Sequence, residues 1–167
     1  MRSAVVREDR PVPLPLRPVP ASVVGELLTL QRAAYATEAQ LYGDPFLPAL
    51  TQTLPELVAE LSTGTCLGAW AGSRLVGAVR AREDGDTLHV GRLVVAPDQQ
   101  GRGIGTHLLR AVEESTGLPS AALFTGALSE ANLRLYRRLG YAETHDEVVR
   151  PGLRLVHLRK QLTGERA

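Results

Sequence analysis

From Arg92 to Leu109 the chain runs through an apolar extended stretch, a loop with three glycines, and then directly into an amphipathic stretch. The spacing predicts a strand that ends where a helix begins. Such an opening is an anion site, because the first backbone N–H groups of a helix have no partners within it and its dipole is positive there. Gly101, Gly103 and Gly105 let a phosphate approach the backbone with no Cβ in the way, and Arg102 adds positive charge. Three glycines at a helix start cost stability unless the space is used. A nucleoside triphosphate loop would need Gly-Lys-Ser/Thr, and the segment has no lysine. The dinucleotide fingerprint G-x-G-x-x-G fails because Thr106 stands where its third glycine would fall.

The pattern that does fit is Q-x-x-G-x-G, from Gln100 to Gly105, after a V-x-P strand end at Val95 to Pro97. Here the sequence resembles the GNAT superfamily of N-acetyltransferases. A second segment, Ala131 to Tyr141, is similar to the family's N-x-x-x-Y-x-x-x-G-F/Y element, with Asn132, Tyr136, Gly140 and Tyr141 in place. Asn132 and Tyr136, four apart, share one helix face. Many members carry an asparagine seven before the tyrosine, where this chain has Ser129, which is expected to serve as the helix N-cap. The resemblance implies acetyl-CoA as co-substrate. It places the backbone of Leu93, Val94 and Val95 along the pantetheine arm. Gln100, Gly101, Arg102, Gly103, Ile104, Gly105 and Thr106 would hold the pyrophosphate, and Asn132 would share in cofactor contact.

Acetyl transfer from a thioester to an amine requires deprotonating the amine, stabilising the carbonyl oxygen and protecting the leaving thiolate. A backbone N–H at Val94 or Val95 is the expected oxyanion donor, and Tyr136 the expected partner of the sulfur. Tyrosine titrates near 10 and a thiol near 8.5, so full proton transfer between ordinary groups is uphill by about 2 kcal/mol. Tyr136 therefore has a lowered pKa or acts chiefly as a hydrogen-bond donor. For the base, some members place a glutamate six residues before the strand's final valine, where this chain has His89. Histidine has a suitable pKa, although a bulge at Gly91 would turn the facing of everything upstream. His107, His145 and His157 lack metal-ligand spacing, and no metal is expected.

The elements that must position these residues form an α/β fold, which the resemblance specifies as a single-domain GNAT-like acyltransferase. Its sheet is mixed, mostly antiparallel, of six or seven strands flanked by about four helices. Five prolines between Pro11 and Pro20 predict a loose tail over residues 1–12, ahead of a domain over 13–160 that opens on an edge strand near Leu14 to Val19. Ser22 should cap a helix running to about Thr37, and another should start near Pro55. Strands are expected at Thr65 to Ala71, Arg74 to Arg82 and Thr87 to Val95, with hairpin signals at Gly72-Ser73 and Asp84-Gly85-Asp86. A helix over Ile104 to Glu114, a strand over Ser120 to Thr125 and a helix over Ser129 to Leu139 follow. Strands near Tyr141 to Thr144 and Leu153 to Arg159 complete the pattern.

With 167 residues, 44% hydrophobic, 22% charged and a net charge of +1, the composition is that of an ordinary globular domain. Charge this near neutral argues against nucleic acid or a membrane as partner. Arg134, Arg137 and Arg138, without an aromatic platform, read as a solvated face or as contacts for coenzyme phosphates. The single cysteine, Cys66, excludes an internal disulfide and reads as a buried strand thiol. No run resembles a signal or a membrane span, so a cytoplasmic location is expected. From Ala33 to Ser73 there is no lysine or arginine, yet Glu38, Asp44, Glu56 and Glu60 fall inside. These acids are expected to draw a cationic amine acceptor to the site, and a second copy of the chain is a candidate partner. The competing reading is a non-catalytic module that binds coenzyme A as a regulatory signal.

Overall fold

The computed structural model describes residues 13–162; the proline-rich tail expected over 1–12 lies outside them. Seven strands form one sheet in the order β1-β2-β3-β4-β5-β7-β6. They are β1 (Leu16–Pro18), β2 (Thr65–Ala71), β3 (Arg74–Asp84), β4 (Thr87–Val95), β5 (Ser120–Gly126), β6 (Ala142–Arg150) and β7 (Leu153–Gln161). Every neighbouring pair is antiparallel except β4 and β5. Parallel neighbours need a crossover, and here the glycine loop and α4 (Ile104–Glu114) supply it. The other helices are α1 (Val24–Tyr42), α2 (Pro48–Thr51), α3 (Leu54–Leu61) and α5 (Glu130–Arg138).

Strand β3 is the centre of the core. Its residues stay buried without a break from Leu75 to Ala81, as they must when helices cover both faces of a strand. Gly77 is what lets α4 sit so close. A Cβ there would lie 2.9 Å from Ile104 Cγ2 and 3.0 Å from Leu108 Cδ1. Strand β6, by contrast, is exposed along its length and carries Glu143, Asp146 and Glu147, the charged edge that discourages a further strand from pairing.

Several expectations differ in detail. Ser22 does not cap α1; it lies in a 3-10 turn (Ala21–Val23), and α1 runs one turn beyond Thr37. The start of α3 is fixed by Thr53 and Glu56, which cap each other reciprocally. The short α2 is held by side chains from elsewhere. Gln31 Nε2 donates to Ala49 O (2.8 Å) and to Gln52 Oε1 (3.0 Å). Buried Arg80 donates to Gln31 Oε1 and to Glu60 Oε2. Cys66 is a buried strand thiol, its pKa pushed up to about 11 by burial.

Gly77→Val should overpack the β3–α4 contact and lower stability by about 1–3 kcal/mol. Urea unfolding followed by circular dichroism checks this; an unchanged midpoint would show that the two elements are not in contact as described.

Candidate active site

The pairing of β4 with β5 covers only Thr87↔Ser120, Leu88↔Ala121 and His89↔Ala122. Beyond it the strands part, although β5 stays paired with β7 through Gly126 and β4 with β3 through Val95. An extra residue in β4 bends it there: Ala78 and Arg80 oppose Val94 and Gly91, so one residue of β3 faces Arg92 and Leu93. Arg92 takes up the bulge with a φ of +49°, a left-handed conformation that costs an L-residue about 1–2 kcal/mol.

The parting opens a cavity of about 680 Å³, inside the usual range for ligand sites. Along one wall runs the end of β4. Ala96 N donates to Val76 O at 2.8 Å. Successive amides of a strand alternate in direction, so the Val95 N–H points away from β3 toward the gap. Val94 N–H points back to β3, so of the two residues expected to supply an oxyanion donor only Val95 turns its N–H to the gap. Gln100 Nε2 reaches Val95 O at 3.4 Å.

At the cavity's end lies the glycine loop. Gly101 (φ +76°) and Gly103 (φ +80°) adopt conformations that suit glycine, with nothing within 4 Å of where a Cβ would stand. No side chain caps α4 at Gly103, so its first N–H groups are free to meet an anion. Arg74 anchors the loop through a two-point ion pair with Asp98 (2.7 and 2.8 Å), which holds the Asp98 carboxyl well below the usual range. Gln100, Gly101, Gly103, Ile104, Gly105 and Thr106 all line the cavity, whereas Arg102 is exposed and turns to Gln99 (3.4 Å). An elongated ligand with a phosphate group fits this setting: an uncapped helix start, two Cβ-free positions and an unpaired strand edge.

Helix α5 supplies the facing wall. Asn132 and Tyr136 both line the cavity, and Asn132 Nδ2 lies 3.4 Å from Thr125 Oγ1. Gly140 (φ +96°) ends the helix, and Tyr141 packs edge-on against Tyr136 at 6.1 Å. The hydroxyls of Tyr42 and Tyr141 are hydrogen bonded, whereas that of Tyr136 enters none of the hydrogen bonds among the described residues. Burial pushes the Tyr136 pKa above the ordinary tyrosine value, and the charges of Tyr35 and Glu38 push it further. Of the two roles expected for this phenol, the environment supports the protonated hydrogen-bond donor. Ser129 occupies the N-cap of α5, but its hydroxyl donates to Glu38 and makes no cap bond.

His89 is placed differently from the expectation. The extra residue at Arg92 reverses the facing of β4 upstream, and His89 is exposed outside the cavity, at the last paired position with β5. The acidic wall also changes. Asp44 is in an ion pair with Arg150, Glu56 caps α3, and Glu60 pairs with Arg80. Glu38 alone of the four lines the cavity. Of the three arginines of α5 read as a solvated face or as coenzyme contacts, Arg138 lines the cavity; Tyr35 and Arg92, which the sequence did not single out, line it too. Tyr35 was marked by its spacing, one turn before Glu38 on the same face of α1.

A family model described as an acetyltransferase (GNAT) domain matches residues 44–162. The UPF0157 protein YqkA of Bacillus subtilis is 26% identical over 136 residues, which are 81% of this chain and 39% of that protein. The chain thus spans about two-fifths of the length of this curated relative. Among solved structures, smu.2055 from Streptococcus mutans superposes with a TM-score of 0.78 at 13% identity, over 90% of this chain and 100% of that one. The PaiA N-acetyltransferase from Thermoplasma acidophilum, in complex with coenzyme A, has a TM-score of 0.74 at 16% identity, over 90% and 99% of the two chains. At such identities these structures establish the shared fold. With more than half of its length matched by the family model, the chain belongs to the GNAT acetyltransferase family.

Proposed function

We propose that the chain is an N-acetyltransferase that moves an acetyl group from acetyl-CoA directly onto a primary amine. The observation that carries the reading is Tyr136: a hydroxyl without a hydrogen-bond partner among the described residues, in the same cavity as the open strand edge and the glycine loop. A module that only binds coenzyme A has no use for such a group.

Acetyl-CoA is the co-substrate and supplies the thioester carbonyl and its sulfur leaving group. The backbone of Gln100 to Thr106 holds the pyrophosphate at the start of α4. The unpaired edge of Leu93 to Val95 takes the pantetheine amides as a further strand would. The Val95 N–H donates to the carbonyl oxygen as charge develops on it, in a setting where few other dipoles compete. As the amine nitrogen bonds to the carbonyl carbon and the C–S bond breaks, Tyr136 donates to the sulfur. Its raised pKa keeps the proton on the phenol, so the hydroxyl stabilises the developing thiolate as a hydrogen-bond donor. Arg138, at the C-terminal turn of α5 and on the cavity wall, is placed to meet coenzyme phosphates.

Gly103→Val should leave a folded protein and weaken acetyl-CoA binding at least about tenfold, which is about 1.4 kcal/mol. Calorimetric titration reads this, and binding like that of the wild type by the folded variant would remove the loop from its role. Tyr136→Phe, which deletes only the hydroxyl, should lower kcat roughly 10²- to 10⁴-fold, the range for a positioned proton donor, with acetyl-CoA affinity little changed. An unaltered kcat where chemistry limits the rate would place leaving-group assistance elsewhere.

A further inference from the structure

The half of the cavity away from the glycine loop has a chemistry of its own. Its walls come from α1, α2, β5 and the β6–β7 hairpin, and they are largely apolar: Leu47, Phe124, Val149, Leu153 and Leu155. The Asp44–Arg150 ion pair ties the end of α1 to the tip of that hairpin and closes the wall.

Two charges of opposite sign face this space. Glu38, on α1, receives a hydrogen bond from Ser129 and no ion pair from any described residue. Arg92, on β4, is half-buried and sits at the strained bulge, its guanidinium 5.6 Å from the centroid of the Tyr35 ring. Arg92 likewise enters none of the ion pairs or side-chain hydrogen bonds among the described residues. Tyr35 and Glu38 are three residues apart on α1, about 4.5 Å along its axis. The guanidinium stacked on one and the carboxylate of the other therefore face neighbouring parts of one space. A guanidinium held on an aromatic face beside a cavity is well suited to a carboxylate, and a strained backbone at such a residue is a recurrent mark of a binding site.

We propose, on the N-acetyltransferase reading above, that the acceptor is a free α-amino acid with an apolar side chain. Arg92 binds its carboxylate, Glu38 its ammonium, and the Leu47, Val149, Leu153 and Leu155 wall its side chain. Glu38 also takes the proton that the ammonium must lose before its nitrogen bonds to the carbonyl carbon. The second nitrogen proton leaves as the amide forms and the C–S bond breaks. One of the two protons goes to the thiolate, which the Tyr136 hydroxyl stabilises by a hydrogen bond, so each turnover yields an N-acetyl amino acid, free coenzyme A thiol and one proton to solvent. Glu38 and Tyr136 line the same cavity, so an amine held at Glu38 enters the space that Tyr136 faces.

The test is a thiol-release assay with three acceptors of matched side chain: L-leucine, L-leucinamide and 3-methylbutylamine. Leucine should have a kcat/KM at least tenfold above both analogues. Arg92→Gln should bring the ratio of leucine to leucinamide close to one, a readout that does not depend on how much of the variant folds. Glu38→Gln should lower kcat for leucine at least tenfold while its preference over leucinamide persists. Acetylation of the two carboxylate-free amines as fast as leucine, or an unchanged ratio in Arg92→Gln, overturns the amino-acid proposal and leaves the N-acetyltransferase reading standing. If a protein that binds acetyl-CoA acetylates none of the three, this proposal falls, and a wider set of amines, tested separately, decides the N-acetyltransferase reading.

Discussion

The site depends on one interrupted pairing. Strands β4 and β5 share a ladder at three positions and then part, because each is held by a different neighbour. The antiparallel ladder with β3 carries β4 to Val95, and that with β7 carries β5 to Gly126. The extra residue at Arg92 bends β4 at the point where the parting begins. A buried strand edge with unmet N–H and C=O groups is costly, so a fold that keeps such an edge open needs a use for it. A chain of amides laid into the gap would satisfy those groups, and the glycine loop at its end is shaped for the phosphates such a chain would carry. Gly77 belongs to the same device: by admitting α4 onto β3, it brings the start of that helix to the mouth of the gap.

Electrostatics narrows the site further. Four acids stand in a stretch without a single basic residue, but folding brings Arg80 and Arg150 to two of them and a reciprocal cap to a third. Paired surface charges project little field beyond a Debye length of about 8 Å. The potential in the cavity is therefore set by Glu38, Arg92, Arg138 and the start of α4. Ser129 connects these parts, since the hydroxyl that could cap α5 orients the Glu38 carboxylate instead. The helix gives up a local bond so that two walls of the cavity are joined.

Most of the frame was legible in the sequence, and the reasons are local. The turns at Gly72 and Gly85, both with positive φ, mark the ends of β2, β3 and β4, and the apolar stripe of Ile104, Leu108, Leu109 and Val112 marks α4. The glycine loop and the Asn132–Tyr136 pair were readable because their chemistry resides in short spacings. What escaped was non-local. Helix α2 is four residues held by Gln31 and Gln52, with no propensity of its own to announce it. The later part of α1 turns Tyr35 and Glu38 to the cavity, and Tyr42 bonds Leu128 N, so its apolar period fades there. Strand β6 was expected near Tyr141 to Thr144 but runs from Ala142 to Arg150, and its further residues form a polar edge with no alternation to read. The facing of β4 turned on where one extra residue was accommodated, and its placement at Arg92 moved His89 out of the site.

On the proposed function, the edge of β4 is open in the free protein and is filled by acetyl-CoA. Amide hydrogen exchange, read by NMR at Val95 and Ala96, tests it most directly. The Ala96 amide is bonded to Val76 O in the sheet and should exchange slowly with or without ligand. The Val95 amide faces the gap and should exchange quickly in the free protein, then slow at least about tenfold with saturating acetyl-CoA, as expected for an amide that gains a hydrogen bond. A Val95 amide already protected in the free protein, or one left unprotected by bound acetyl-CoA, would contradict the account.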